Sequence, residues 1–554
     1  MKIEPLARLE RHARRIGEIV TILGKYGLAE AFGTFDQPWL KKWLRSEQGQ
    51  PLTSLSQAER IRQALTEMGA TFIKLGQTLS TRADLIGPSI AQELTRLQSQ
   101  VPPESATQAR ATIKEAFGCG VGELFTRFDD TPLAAASMAQ VHRAVLTTGE
   151  NVVVKIRRSR VTTQVTTDLE ILAGLAAQLE RHSPALRRYQ PAAIAEQFSR
   201  TLSRELDFTN ERRNLEEFAR NFADDETVHV PTVFPDYCAP EVLTLEYLDG
   251  IVGTDKEALD ASGQDLATFA SRGATMYLNM VFRDGFYHAD PHPGNLLLLP
   301  EVVVGVIDCG MVGRLDDILR EDVEALLLAI FENDTERVTD QVFRLGSVPP
   351  DLPRDRLRSD LQDLLNDYLG RPLDEIDIGA ALTTVIEIVR RHQIILPPPL
   401  AVLLRTLIVL EGTSRRFHPA FSLAELIRPF CTRMVLRHLT PERLMKRLRR
   451  SYRDWDRFFT LLPRDLSDLI TRFRDGSLTV HLDHRHLDPV VNRLVLGILT
   501  AALFLGSSML WSRQAPPLLG GISIVGALGF LVATFLGFRL LAAIRNSGNI
   551  RSKD

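Results

Sequence analysis

HADPHPGN, residues 288–295, decides how this chain is read, together with DCG at 308–310. His288, Asp290 two positions later and Asn295 five beyond that have the pattern of a kinase catalytic loop. The thirteen residues from Asn295 to Asp308 fit a strand hairpin that returns a metal-binding aspartate to the same phosphates. Upstream, VVVK at 152–155 reads as a strand ending in a lysine suited to neutralising them. Alone, each residue is ordinary: an aspartate in a loop is usually a turn or cap residue, and a lysine after a strand is usually solvated. In this order they point to phosphoryl transfer, which needs charge neutralisation and alignment more than covalent help. The expected roles place Lys155 on the α and β phosphates of ATP, with Asp308 and Asn295 holding Mg2+. Asp290 would orient or deprotonate the attacking hydroxyl or water. His288 and His292 read as loop-ordering residues, because no third ligand for zinc appears at suitable spacing.

Where a glycine-rich phosphate cover would precede the lysine strand, the chain has LAAASMAQVHRA at 133–144. An alanine Cβ prevents the close, positive-φ backbone approach that glycine permits. Ala134, Ala135, Ala136 and Ser137 are therefore expected to hold nucleotide phosphates differently. Residues 120–158 alternate in the strand manner, with Thr147 to Glu150 as a hairpin turn. Two helical stretches follow, 162–184 and 192–222. VLTLEYLDG at 242–250 reads as a strand entering a turn, the place of a kinase hinge. Backbone near Glu246 and Tyr247 is expected to meet the adenine edge.

Length and composition set the surroundings. The 554 residues carry a net charge of −3, so no global field draws nucleic acid. Cys119, Cys238, Cys309 and Cys431 make no CxxC pair, which argues against a zinc module or disulfide framework and suits a reducing compartment. The opening MKIEPLARLERHARR has no apolar run after its charges, so no cleaved signal peptide is expected. The membrane signal lies at the other end. Leu494 to Ser512 and Gln514 to Phe538 are free of charge, each about long enough to cross a ~30 Å bilayer core as a helix. The short link RQAPP makes them a helical hairpin. Arg493 precedes it, Arg539, Arg545, Arg551 and Lys553 follow it, and only Arg513 sits in its turn. The positive-inside rule then places both ends and the soluble body on the cytoplasmic side of the inner membrane. Gly520, Gly521, Gly526 and Gly529 admit close helix contact, with a homodimer as one outcome. Residues 433–474 are arginine-rich and either rest on anionic headgroups or form a solvated face.

From about Glu59 to Pro419 the chain resembles the UbiB family of atypical kinases, the aarF-domain proteins. The matching pieces are KLGQ at 74–77 (the family's KxGQ), AAAS at 134–137, VVVK, ELD at 205–207 (its ExD), HADPHPGN and DCG. The resemblance implies a protein-kinase-like fold with an N-terminal extension packed across the place of a protein substrate. It also implies ATPase activity, lipid association and support of ubiquinone or other prenyl-lipid metabolism. Lys74 and Gln77, on one helical face with Gly76 between them, are expected to enter the nucleotide cleft. Glu211 is assigned to Lys155, and Glu205 with Asp207 to Lys74. Cys309 departs from the usual aromatic between the aspartate and glycine, which puts control by an aromatic flip in doubt.

The expected organisation is α+β and two-lobed: a helical extension at 1–118, an N-lobe at 119–249 and a C-lobe at 250–440. A basic juxtamembrane region at 441–489 and two transmembrane helices within 490–545 follow. Expected partners are membrane lipids, prenyl-lipid or quinone intermediates and lipid-biosynthetic enzymes. The competing readings are a catalytically silent pseudokinase scaffold and a small-molecule phosphotransferase.

Overall fold

The structure is a computed structural model that describes residues 4–28, 55–97, 102–159, 161–183, 187, 189–368, 377–438, 487–519 and 522–545. It divides into two compact units, residues 1–443 and 444–554. The basic segment expected at 441–489 lies almost wholly outside the described residues.

The first unit opens with helices α1 (Glu4–Lys25), α2 (Gln57–Met68), α3 (Ala70–Ser80), α4 (Ala83–Ile86) and α5 (Pro88–Leu94). Ser56 starts α2 with a capping box: its hydroxyl accepts from the Glu59 N–H, and the Glu59 carboxylate accepts from its backbone. α3 buries Phe72 and Ile73 against Leu65, Met68, Leu94 and Leu97. A Cβ on Gly76 would collide with the Leu97 Cδ1 and lie 2.9 Å from the Leu65 Cδ1, so a larger residue there would force these two buried leucine ends to shift.

Helix α6 (Ala106–Phe117) leads into β1 (Phe125–Phe128), β2 (Ala134–Ala135), β3 (Ala139–Leu146) and β4 (Asn151–Arg157). Helices α7 (Val161–His182), α8 (Pro191–Glu205) and α9 (Phe208–Asn221), then β5 (Val228–His229) and β6 (Val242–Glu246), complete the N-lobe. Its antiparallel sheet runs β1-β3-β4-β6, with β2 on β3. Alternation along β4 buries Val152, Val154 and Ile156 against Ala109 and Ile113 of α6. Because side chains alternate along a strand, Lys155 projects from the opposite face, toward the cleft. The single helix expected over 192–222 is two helices, broken where Asp207 adopts an extended backbone and caps α9.

In the C-lobe, β7 (Ile251–Val252), α10 (Leu266–Asn279), β8 (Phe286–His288), β9 (Leu296–Leu299), β10 (Val303–Val306) and β11 (Val312–Arg314) surround the catalytic loop. The sheet order is β5-β10-β9-β7, and β8 pairs with β11. Helices α11 (Asp317–Phe331), α12 (Thr335–Leu345), α13 (Arg354–Tyr368), α14 (Ile378–Arg391), α15 (Pro398–Phe417) and α16 (Leu423–His438) follow. α10 and α15 pack along the core, with the Phe269 and Phe417 rings meeting edge-on at 5.1 Å. The extension docks here too: α4 packs on α14, and the Arg82 guanidinium donates to the Leu396 carbonyl at 3.4 Å.

The second unit holds an antiparallel pair, α17 (Leu487–Ser512) and α18 (Ile524–Arg545). Leu494–Ser512 and Ile524–Leu541 have mean hydropathies of 2.0 and 2.1, and only 6% and 11% of these spans is buried. Core helices of a soluble protein would hide such surface; these expose it, as membrane helices do. A Cβ on Gly526 would stand 2.7 Å from the Trp511 nitrogen, and one on Gly529 would overlap the Ser507 hydroxyl. Those two glycines therefore serve contact inside the hairpin.

Candidate active site

β8 delivers His288, fully buried, into the catalytic loop. Its Nδ1 accepts from the Asp290 N–H at 3.1 Å, so the proton sits on Nε2, which donates to the Asp308 carbonyl at 3.0 Å. Burial holds this imidazole below the ordinary histidine value, keeping it neutral. One ring thus ties both motifs together. His292 has a local duty, accepting from the Gly294 N–H at 3.1 Å. The Asn295 amide donates to the Asp290 carbonyl at 3.0 Å and to its carboxylate at 3.1 Å. That leaves the Asn295 carbonyl oxygen as an acceptor. The β9–β10 hairpin, paired from Leu299 with Val303 to Leu296 with Val306, then returns the chain to Asp308.

Across the cleft, the Lys155 ammonium lies 2.8 and 2.9 Å from the two Glu211 oxygens and 3.0 Å from Asp308 Oδ1. Burial alone would depress this lysine; Asp308 and Glu211 overcome it and raise its pKa well above the usual value. Lys155 in turn holds Asp308 far below the ordinary carboxylate range, with Lys74 adding to the effect. Glu211 is pushed up to about 7, first by burial, against the pull of Lys155. The Asp308 side chain is 58% exposed where Glu211 is 6%, so Asp308 is the carboxylate open to the cleft.

The extension contributes the second cation. Lys74 on α3 meets Glu205 at the end of α8 at 2.7 Å. Burial opposes its charge, yet Glu205 and Asp308 raise its pKa. Lys74 therefore acts on the same aspartate that Lys155 touches.

A hard divalent cation fits this donor set. Asp308 offers carboxylate oxygen and Asn295 its amide oxygen, both suited to Mg2+. Among the described residues no group of three or more His, Cys, Asp or Glu could cage a metal. Few protein ligands, completed by substrate phosphates, is how Mg2+ is held in phosphoryl-transfer sites.

Residues 96–342 match the ABC1 atypical kinase-like domain, 361–422 the UbiB helical domain and 481–546 the ABC1/UbiB kinase-like C-terminal domain. The chain is 33% identical over 542 residues to a "Probable protein kinase UbiB" of Aeromonas salmonicida, covering 93% of this chain and 96% of the relative. The chain belongs to the UbiB family. A "Probable protein kinase UbiB" of Azotobacter vinelandii is 34% identical over 523 residues, covering 91% and 94% of the two chains. Among solved structures, the Rv3197–erythromycin complex from Mycobacterium tuberculosis aligns with a TM-score of 0.44 and 24% identity, covering 64% of this chain and 90% of that one.

In this UbiB chain the alanine-rich loop is internally bonded. Ala134 and Ala135 pair with Val141 and Gln140, and the Ala136 N–H donates to the Ala139 carbonyl at 2.8 Å. Ser137 is buried and its hydroxyl has no hydrogen-bond partner. Met138 anchors the loop among Val161, Val165, Phe198 and Leu202.

One expectation needs correction and a second is narrowed. Asp207, assigned with Glu205 to Lys74, instead caps α9, its carboxylate accepting from the Thr209 N–H at 2.9 Å. A helix start leaves N–H groups unpaired, and that local demand takes the carboxylate. At the hinge, the Glu246 N–H donates to the Thr232 carbonyl at 2.9 Å and the Tyr247 N–H to the Asn151 carbonyl at 3.0 Å. Those two donors are engaged by the sheet and are not available to an adenine edge. Gln77 donates to the Leu97 carbonyl at 3.2 Å, bracing the extension.

Arg405 was missed. It lies in α15 with Nη2 3.7 Å from Asp290 Oδ1, while its Nε and Nη1 are buried without hydrogen-bond partners. Thr406 and Thr413 of the same helix donate to the Ala289 and Pro291 carbonyls at 3.3 and 2.8 Å. α15 therefore supports the catalytic loop from below. The available signal was a lone arginine inside the apolar run LAVLLRTLIVL at 400–410.

Proposed function

We propose that this protein binds Mg-ATP in the cleft between Lys155 and the catalytic loop. It works as a membrane-anchored ATPase or atypical kinase supporting ubiquinone or other prenyl-lipid metabolism. The observation that carries the reading is the convergence of Lys155, Asp308 and the Asn295–Asp290 pair, three separate sequence pieces, on one cleft. The resemblance to the UbiB family supports a quinone or other prenyl lipid as the beneficiary, and the apolar hairpin with its flanking arginines supports a place in the inner membrane, with the soluble body on the cytoplasmic side.

Lys155 exchanges its contact with Asp308 for phosphate oxygens and stays paired to Glu211. Asp308 and the Asn295 amide oxygen hold Mg2+, which when bound neutralises charge on the phosphates. Asn295 and Arg405 fix the Asp290 carboxylate from two sides, so it can align an acceptor hydroxyl or water. Lys74 and the docked extension favour water or a small lipid group over a polypeptide as acceptor.

Phosphate release by the detergent-purified protein with Mg-ATP, compared with an Asp308→Asn variant, tests the chemistry. Turnover in the parent and its loss in the variant are expected. Equal, negligible release from both would leave a scaffold for lipid-biosynthetic enzymes. Quinone profiling of a strain lacking the protein tests the lipid assignment, and an unchanged profile would remove it.

A further inference from the structure

We propose that Asn214 is a positioning residue that holds Asp308 toward the cleft, standing in for the aromatic that Cys309 replaces. The inference rests on the Mg-nucleotide reading of the cleft. Asp308 has a φ of +61°, the left-handed region, which residues with a side chain rarely adopt. Such a conformation persists only where its surroundings over-determine it. In sites with an aspartate–aromatic–glycine turn, packing of the ring helps fix the turn. Cys309 is fully buried but its thiol is too small to fill that role.

Two side chains grip consecutive carbonyls of the turn instead. His288 Nε2 donates to the Asp308 carbonyl at 3.0 Å, and Asn214 Nδ2 donates to the Cys309 carbonyl at 3.0 Å. Their origins differ: His288 ends β8, whereas Asn214 belongs to α9. Asn214 follows Glu211 by three residues, so one face of α9 carries both. The helix thus pairs Lys155 through Glu211 and clamps the metal-binding turn through Asn214. Gly310 completes the turn; a Cβ there would stand 3.3 Å from Asp308 Oδ1 and 3.8 Å from Glu211 Oε2. Movement of α9 would release Lys155 and Asp308 together, a coupling by hydrogen bond where a ring would act by packing.

The test is nucleotide affinity of the full chain in detergent, by calorimetry, with Mn2+ and again with EDTA. Asn214→Leu keeps approximate shape without a donor, Asn214→Ala removes the donor from this half-buried position at little risk to folding, and Asn214→Gln keeps a donor. In Leu and Ala the gain in affinity conferred by Mn2+ is expected to fall about tenfold, while affinity in EDTA stays within twofold; Gln recovers most of the gain. A merely structural residue would lower both affinities and the melting temperature alike, and that result overturns the proposal. An unchanged Mn2+ gain in Leu and Ala overturns it too. Absence of nucleotide binding by the parent protein would instead remove the Mg-nucleotide reading itself, and this inference with it.

Discussion

Two lysines in this cleft meet glutamates at almost the same distance, Lys155 with Glu211 at 2.8 Å and Lys74 with Glu205 at 2.7 Å. Their positions make them different instruments. Lys155 stands on a strand whose opposite face is buried core, and it touches Asp308 directly at 3.0 Å. Lys74 comes from a helix of the extension and reaches Asp308 only through its field. In the proposed function the first pair serves phosphate binding in the two-lobed cleft. The second joins the extension to α8 and adds a positive field at Asp308, the carboxylate proposed to hold the metal.

The largest expected contrast is in turnover. Lys155→Met should lower phosphate release by about 10²–10³-fold, the scale of losing a positioned charge at a transferring phosphoryl group. Lys74→Met should leave it within about tenfold and lower the Mg2+ concentration needed for half-maximal release, because a competing cation near Asp308 is gone. Equal losses in the two variants would erase the distinction. Next comes stability: Lys74→Ala leaves Glu205 unpaired and should cost on the order of 2–3 kcal/mol in denaturant unfolding. That is below the roughly 3–5 kcal/mol of a fully buried pair, since Lys74 stays 21% exposed.

The pH dependence separates the pairs further. Glu211, raised to about 7 from an ordinary 4.5, takes up a proton as pH falls through 7, weakening its hold on Lys155. Phosphate release should therefore decline on the acid side of about pH 7, and Glu211→Gln should lose that limb. Because the folded-state value is the higher one, Glu211 works against the fold as pH rises from 4.5 to about 7. The same variant should flatten that part of the stability profile, measured by denaturant midpoints. The smallest effect concerns Asp207. As a helix cap, Asp207→Ala should cost about 1 kcal/mol and Asp207→Asn a few tenths. A loss with asparagine as large as that of Lys74→Ala would return Asp207 to the Lys74 pair.

How much of this was legible depends on the range of the interaction. The spacing from His288 through Asn295 to Asp308 encodes a loop and a two-stranded return, both local, and the hairpin from β9 to β10 follows it. Strand alternation alone aimed Lys155 away from the core, and run length alone marked the apolar helices of the second unit. Partner choice was harder. Asp207 was assigned to a distant lysine on the expectation of one continuous helix, and only the break between α8 and α9 made it a cap. Glu246 and Tyr247 sit at the expected turn, but the acceptors that engage their N–H groups come from residues far away in sequence, Thr232 and Asn151.

Motif order, strand alternation and uncharged run length were enough to mark the two-lobed α+β plan, the residues that meet in its cleft and the apolar hairpin. Periodicity and spacing report backbone geometry within an element and its nearest turn, and these features need nothing more. The placement of Arg405 3.7 Å from Asp290 and of Asn214 on the Cys309 carbonyl was decided by tertiary structure alone. Each depends on how helices pack, and a charge or amide on a helix face has no partner until packing brings another segment within hydrogen-bonding or Coulombic reach.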